Sequence, residues 1–213
     1  MFSRQRSASI HRGREERGAK PVGSEGLSFR KERATDEVTT PVVAHAEKIK
    51  VGGLIPSFSL PAVNVRGNVS PWDYKQHKNL VLILIRDPGC ESCLRLLREL
   101  AARYEEYRQL NAEILVAINS DLEQVSKLQN ELNLPFPLLS DSDAVVLDSY
   151  TEEGTDARPA FGVLITDRWG ALFSKTISSE MKDLPAEGEI RDWLSFIEIQ
   201  CSECFPPEPW PGD

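Results

Sequence analysis

The sequence predicts an α/β fold in which helices cover both faces of a mixed central sheet. Three observations lead to this prediction: a continuous apolar run at residues 80–85, an amphipathic stretch directly after it, and two strand-like segments joined by a turn near the C-terminus. A buried strand followed by a helix is typical of a parallel βαβ unit, and a tight turn between strands adds antiparallel pairs. The length of 213 residues fits one domain with tails.

The first βα unit begins with Leu80–Ile85, whose unbroken apolar and β-branched composition predicts a strand buried on both faces. Pro88 and Gly89 end this strand. An amphipathic helix is then predicted from Cys90 onward, because apolar residues recur at helical spacing. Its predicted buried face consists of Leu94, Leu97, Ala101, Tyr104 and the later Leu110.

A second buried strand is predicted at residues 113–118. Asp121 is a typical N-cap for a helix that reaches residue 132. Asp141 and Ser142 are expected to cap a short helix that ends near residue 150. A hairpin is expected before the first unit, within residues 51–68.

The last third of the chain has the pattern of a β-hairpin followed by a helix. Residues 161–166 and 171–173 read as two strands, joined by a tight turn at residues 167–170. The final helix is marked by Ile190, Trp193, Leu194 and Ile197. The βα turn at residues 87–93 matches neither the dinucleotide-binding nor the P-loop glycine pattern, so a phosphate-binding loop is not predicted.

Charge and composition divide the chain into three parts. Residues 1–50 carry 11 Lys and Arg against 7 Asp and Glu (+4), and residues 51–213 carry 14 against 26 (−12). Because residues 1–47 lack apolar periodicity, they are predicted to be a disordered basic tail. The folded domain is predicted at residues 48–200, with a C-terminal C-x-x-C tail at residues 201–213.

The composition also argues against several classes of protein. A net charge of −8 disfavours a nucleic-acid-binding protein, which needs a basic face. No stretch approaches the apolar length of a membrane span, and no secretory signal is visible, so a cytoplasmic protein is expected. In that compartment, four cysteines indicate redox chemistry or metal binding more often than structural disulfides.

The strongest chemical signal is Cys90-Glu91-Ser92-Cys93, at a predicted strand end and helix start. This spacing lets two sulfurs close a small ring across the first helical turn. The free N–H groups and partial positive charge of a helix N-terminus stabilise a thiolate. A thiolate attacks a disulfide or a peroxide oxygen, so this pair predicts thiol-based redox catalysis.

Three further segments carry a resemblance to a known family: Val51-Gly52-Gly53-Leu54-Ile55-Pro56-Ser57-Phe58-Ser59-Leu60, Phe136-Pro137-Leu138-Leu139-Ser140-Asp141 and Ile165-Thr166-Asp167-Arg168-Trp169-Gly170. From about residue 50 to residue 200 the chain resembles the peroxiredoxin (alkyl hydroperoxide reductase/thiol-specific antioxidant) branch of the thioredoxin-like superfamily. This resemblance implies a thioredoxin-like three-layer fold and an oxidoreductase that reduces a peroxide or a disulfide.

The family pattern P-x-x-x-T-x-x-C places Cys93 at the attacking cysteine, Cys90 at the Thr and Arg86 at the Pro. Alignment with thioredoxin instead makes Cys90 the attacking thiol and Cys93 the resolving one. Both alternatives remain open in the sequence. Loss of the Thr and the Pro removes groups that help typical members bind peroxide, so dithiol–disulfide cycling is favoured.

Arg158 and Pro159 precede the strand predicted at residue 161. The resemblance implies a cis-proline facing the C-x-x-C at Pro159 and an arginine near the thiolate at Arg158. A guanidinium close to sulfur would stabilise the thiolate and orient a peroxide.

The second pair, Cys201 and Cys204, follows the final helix. We interpret it as a dithiol that shuttles electrons to Cys90 and Cys93, within the chain or across a homodimer. The alternative is a zinc or iron–sulfur site formed by all four cysteines, although 107 residues separate Cys93 from Cys201.

Sulfur itself is the redox centre, so the enzymatic hypothesis requires no bound cofactor. Its expected partners are a peroxide or disulfide substrate and an external dithiol donor such as a thioredoxin-type protein. A non-catalytic redox sensor is a further alternative. The histidines support no catalytic triad, and the tryptophans are expected to pack in the core or in hairpins.

Overall fold

The computed structural model describes residues 49–151 and 160–200. Within these ranges the strands are β1 (Leu60–Val63), β2 (Asn68–Val69), β3 (Asn79–Ile85), β4 (Ala112–Ile118), β5 (Leu138–Ser140), β6 (Phe161–Thr166) and β7 (Leu172–Ser178). The helices are α1 (Glu91–Ala102), α2 (Tyr104–Gln109), α3 (Leu122–Leu132), α4 (Val145–Thr151) and α5 (Glu187–Glu198), with 3₁₀ turns at Pro71–Tyr74 and Met181–Asp183. The predicted tails at residues 1–47 and 201–213 lie outside the described residues.

The strands form one mixed sheet in the order β2-β1-β5-β4-β3-β6-β7. The three central strands, β3, β4 and β5, are parallel, and each outer pairing is antiparallel. Leu80 pairs with Thr166 and Ile85 pairs with Phe161, so β3 and β6 run alongside each other over nearly their whole length. The parallel unit, the C-terminal hairpin and the hairpin of β1 with β2 confirm the predicted topology.

Strand β3 contributes to two hydrophobic cores, one on each face of the sheet. Val81, Ile83 and Ile85 pack beneath α1, α2, α3 and α5. The alternate residues, including Leu82 and Leu84, pack on the opposite face with α4. All seven residues of β3 are buried, and each large aliphatic side chain contributes about 1.5–3 kcal/mol by leaving water. The helices on both faces confirm the predicted layers.

Two of the three residues predicted to cap helices, Asp121 and Asp141, accept hydrogen bonds from helix N–H groups. The Asp121 carboxylate accepts a hydrogen bond from the Gln124 N–H at 2.8 Å and begins α3. Asp141 accepts hydrogen bonds from the Val146 N–H at 3.3 Å and the Leu147 N–H at 2.8 Å, in the first turn of α4. Burial raises the pKa of Asp141, while the hydrogen bonds from these two N–H groups act in the opposite direction.

Three features differ from the prediction. The amphipathic stretch after Cys90 forms two helices, because the chain leaves helical geometry at Arg103 (φ −115°) between α1 and α2. The break places Tyr107 in the core, where its hydroxyl donates to the Glu187 carboxylate at 3.0 Å. Strand β5 has three residues, too few to show a period, and β7 continues to Ser178 instead of ending near Phe173.

No helix in the described ranges has both the length and the apolar character needed to cross a membrane.

Candidate active site at the carboxyl edge of the sheet

The turn between β3 and α1 is held by hydrogen bonds of Asp87. Its carboxylate accepts from the Gly89 N–H at 2.8 Å, and its backbone carbonyl accepts from the Cys90 N–H at 3.0 Å. Pro88 lies between these contacts and cannot donate a hydrogen bond of its own. The turn therefore places Cys90 at the N-cap of α1, just beyond the carboxyl end of β3.

Cys90 and Cys93 are joined by a disulfide, with their Cα atoms 5.3 Å apart. This separation lies within the range that disulfides usually span. The Cys93 N–H donates to the Cys90 sulfur at 3.2 Å. The predicted pairing of these two sulfurs across the first helical turn is thus present.

The two sulfur-bearing residues differ in their access to solvent. Cys93 is 2% exposed and belongs to the core beneath α1, whereas Cys90 is half-buried at the rim of that core. The neighbouring Asp87 and Glu91 are exposed, so water screens their charges from the sulfurs. Helix α1 has 12 residues, and the positive end of its dipole faces Cys90.

An ion pair beside this turn was not foreseen from the sequence. The Arg86 guanidinium binds the Asp148 carboxylate of α4 at 2.6 Å, and the Arg86 side chain is 19% exposed. The Arg86 N–H also donates to the Ala160 carbonyl at 3.0 Å. A proline at this position, as in the family pattern, lacks that donor. No local signal links Arg86 to a residue 62 positions away.

Asn119 is a second residue at this edge that the sequence did not reveal. It follows β4, and its side-chain amide donates to the carbonyls of Asp141 at 3.0 Å and Ser142 at 3.1 Å. Its backbone N–H donates to the Ile85 carbonyl at 2.9 Å. Asn119 therefore ties together the carboxyl ends of all three parallel strands around the disulfide turn.

Of the predicted site residues, Cys90 and Cys93 are brought together. Arg158 and Pro159 lie outside the described residues, as do Cys201 and Cys204. The described part of the chain contains no group of three or more His, Cys, Asp or Glu side chains placed to hold a metal ion.

A parallel βαβ unit with a C-x-x-C at its helix start, followed by an antiparallel hairpin, defines the thioredoxin-like class of proteins. Residues 51–171 match the family model "AhpC/TSA family". The match covers more than half of the sequence, and the chain belongs to this family of thiol-dependent antioxidant oxidoreductases. Comparison with curated proteins finds no significant match.

Solved structures support the same fold. Peroxidoxin BcpB from Mycobacterium tuberculosis is 15% identical, with a TM-score of 0.60 over 72% of this chain and 99% of that one. The reduced 2-Cys peroxiredoxin of Plasmodium vivax is 17% identical, with a TM-score of 0.62 over 76% and 90%. A putative thiol:disulfide interchange protein DsbE from Chlorobium tepidum is 16% identical, with a TM-score of 0.55 over 68% and 99%. At these identities the likeness establishes the thioredoxin-like fold.

Proposed function

We propose that the protein is a thiol–disulfide oxidoreductase in which Cys90 attacks the substrate and Cys93 resolves the intermediate. The observation that carries this proposal is the difference in exposure: Cys90 is half-buried at the rim of the core, whereas Cys93 is 2% exposed. A nucleophile must reach its substrate, whereas a resolving thiol needs to reach only Cys90. This favours the thioredoxin-type assignment over the peroxiredoxin-type one.

The reaction conserves two electrons. The Cys90 thiolate attacks one sulfur of a substrate disulfide, and the other substrate sulfur leaves as a thiolate and takes up a proton. The Cys93 thiolate then attacks Cys90 in this mixed disulfide, which releases the second substrate thiol and forms the Cys90–Cys93 bond. The Cys93 N–H, 3.2 Å from the Cys90 sulfur, stabilises negative charge there in the reduced enzyme. An external dithiol donor reduces the enzyme again by the reverse exchange.

A peroxide is the second substrate class. The thiolate would attack the peroxide oxygen, forming a sulfenic acid and releasing water or an alcohol. The second thiol would condense with the sulfenic acid and expel another water. Two observations favour a disulfide substrate instead: Cys90 occupies the position of the family threonine, and Arg86 that of its proline. The Arg86 guanidinium is engaged with Asp148.

Arg158 and Pro159 remain proposed members of this site. Support comes from the next residue, Ala160. Its carbonyl accepts a hydrogen bond from the backbone N–H of Arg86, which lies four residues before Cys90. Ala160 and Cys90 also pack against the same hydrophobic core. The position of Ala160 supports the proposal that Arg158 and Pro159 belong to the site around the disulfide.

For Cys201 and Cys204 we propose electron transfer between two copies of the chain. Glu198, near the end of α5, accepts a hydrogen bond from Asn79 at the amino end of β3. Strand β3 spans about 20 Å from there to the disulfide edge. Four residues from Gln200 to Cys204 extend at most about 14 Å. Exchange with Cys90 is therefore favoured across a homodimer.

The test measures reduction of a disulfide substrate, such as insulin, by full-length protein carrying Cys90→Ser or Cys93→Ser. We expect Cys90→Ser to lose at least about 100-fold in rate, because the attacking sulfur is gone. Cys93→Ser should accumulate a mixed disulfide at Cys90, detected by mass spectrometry. The double variant Cys201→Ser with Cys204→Ser is the matched control and should retain the first half-reaction.

Two results would contradict this assignment. A mixed disulfide at Cys93 in the Cys90→Ser variant would reverse the two roles. Sulfenic acid formation with turnover of hydrogen peroxide, and no reduction of insulin, would make peroxide the substrate class.

A further inference from the structure

Helix α5 carries an aromatic surface that the proposed function does not use. Trp193 and Phe196 line an open pocket of about 330 Å³ there, together with Glu189 and Asp192. Ligand pockets in proteins usually measure about 300–1,000 Å³, so this space holds a long side chain of a binding partner. We name it the α5 pocket.

The aromatic rings of the α5 pocket hold one another in place. The ring centroids of Trp193 and Phe196 lie 6.0 Å apart, with an angle of 87° between the two planes. Phe173 of β7 also contacts Phe196, with the centroids 6.4 Å apart. Phe196 is nevertheless 45% exposed. An aromatic side chain that is both exposed and positioned by its neighbours loses little conformational freedom on binding, which favours a role in an interface.

The charges beside these rings are negative. Glu189 and Asp192 are exposed, and among the described residues that line the pocket none is basic. Arg191 is the one basic residue in the sequence of α5, and its guanidinium contacts the Glu106 carboxylate of α2. The α5 pocket therefore combines the negative faces of aromatic rings with two carboxylates, and both attract a cation.

We propose that the α5 pocket binds an arginine side chain in a basic segment of a partner polypeptide. The apolar stem of that side chain packs on Trp193 and Phe196. Its planar guanidinium stacks on an aromatic face and donates hydrogen bonds to the carboxylates of Glu189 and Asp192. A lysine ammonium carries the same charge but lacks the planar group, so arginine is the preferred residue.

Charge disfavours a second copy of the chain as the occupant. A two-fold contact of the α5 pocket with itself brings the same surface of both copies together. Glu189 and Asp192 of the two copies would then lie close to each other, which like-charge repulsion opposes. The charge of the pocket instead complements a basic partner.

The experiment measures the fluorescence anisotropy of a labelled peptide, Gly-Leu-Arg-Arg-Leu-Gly, titrated with the full-length protein at low ionic strength. We expect the same peptide with citrulline in place of arginine, which keeps the shape and removes the charge, to bind at least about tenfold more weakly. Glu189→Gln combined with Asp192→Asn should weaken binding of the arginine peptide by a similar factor. Glu131→Gln is the matched control, since Glu131 is an exposed acid on α3, and it should leave binding unchanged.

Phe196→Ala tests the aromatic part of the pocket and should also weaken binding at least about tenfold. The charge variant alters exposed carboxylates only, so the test stays decisive if Phe196→Ala fails to fold. Three results would each overturn the proposal: no binding to the wild type at about 1 mM protein, equal binding of the arginine and citrulline peptides, or unchanged binding in the charge variant. A dimer that Phe196→Ala dissociates in analytical ultracentrifugation would assign the surface to a second copy and would overturn it as well. The readout is binding, so a failure here leaves the proposed thiol–disulfide exchange unaffected.

Discussion

Three positions separate Cys90 from Cys93, yet their surroundings differ because Cys90 is the N-cap with extended backbone (ψ 99°), whereas Cys93 lies within the first turn of α1. Cys90 ends a turn at the rim of the sheet, and Cys93 points into the core with 2% exposure. The N–H of the buried Cys93 donates to the sulfur of the half-buried Cys90. This arrangement suits the dithiol cycle proposed above, in which Cys90 attacks the substrate and the buried Cys93 resolves the intermediate.

Asp141 allows a prediction at the scale of one residue. Replacing it with Ala removes the acceptor of the Val146 and Leu147 N–H groups and should lower the free energy of unfolding by about 1–2 kcal/mol. Urea denaturation checks this value. The exposed Asp143 is a matched control, and Asp143→Ala should stay within about 0.5 kcal/mol of the wild type. Equal losses in the two variants would refute the capping role.

At the scale of elements, charged contacts join α2 and the residue before it to α5, on the same face of the sheet as α1. The Arg191 guanidinium contacts the Glu106 carboxylate, and Arg103 binds Glu187 at 3.3 Å. Tyr107 donates to the same Glu187 carboxylate from the core, and its burial raises the pKa of the tyrosine. The break between α1 and α2 positions Tyr107 for this contact, so local backbone geometry and helix packing depend on each other.

The contact of Glu106 with Arg191 predicts a pH dependence of stability. Its hydrogen bond from Arg191 lowers the pKa of Glu106 below the usual 4.5. A carboxyl whose pKa is lowered by folding stabilises the protein above its unfolded pKa. That contribution is lost as the pH falls below 4.5 and through the folded value.

Glu106→Gln should therefore lose less stability than the wild type between pH 7 and low pH, as measured by urea denaturation at both values. The exposed Glu99, replaced by Gln, serves as the control and should follow the wild type. Parallel pH profiles for wild type and Glu106→Gln would contradict this contribution.

At the scale of the whole molecule, hydrogen bonds of Glu198 join the end of α5 to the sheet. Its carboxylate accepts from the side-chain amides of Asn79 at 2.7 Å and Asn111 at 2.9 Å. Asn79 is the first residue of β3, and Asn111 directly precedes β4. A carboxylate near a helix C-terminus is unfavourable for the helix dipole. These contacts, with Arg168, explain why an acidic residue is tolerated there.

Glu198→Ala should lower the free energy of unfolding by about 1–3 kcal/mol, because the buried amide of Asn79 loses an acceptor. Urea denaturation measures the change. Asp192→Ala removes an exposed acid from the same helix and should have little effect. A loss in Asp192→Ala as large as that in Glu198→Ala would attribute the effect to helix charge and not to the contacts with the strands.

Local sequence patterns determined the helices and strands that have a period or a cap. The sequence alone predicted three features correctly: the apolar run of β3, the N-cap Asp121 and the position of Cys90 at a helix start. The family was also predicted, because its motifs are short and contiguous. Strand β5 was not predicted, because three residues are too few to show a period. The division between α1 and α2 was not predicted either, because both helices continue one apolar pattern.

Only the tertiary structure decided which residues from distant parts of the chain meet. The pairing of Arg86 with Asp148 and the hydrogen bond of Asn79 to Glu198 both depend on the order of strands in the sheet. The unequal burial of Cys90 and Cys93 depends on how α1 packs on the core at the face of the sheet. Periodicity and caps act over a few neighbouring residues, whereas burial and contacts across the sheet are properties of the packed molecule.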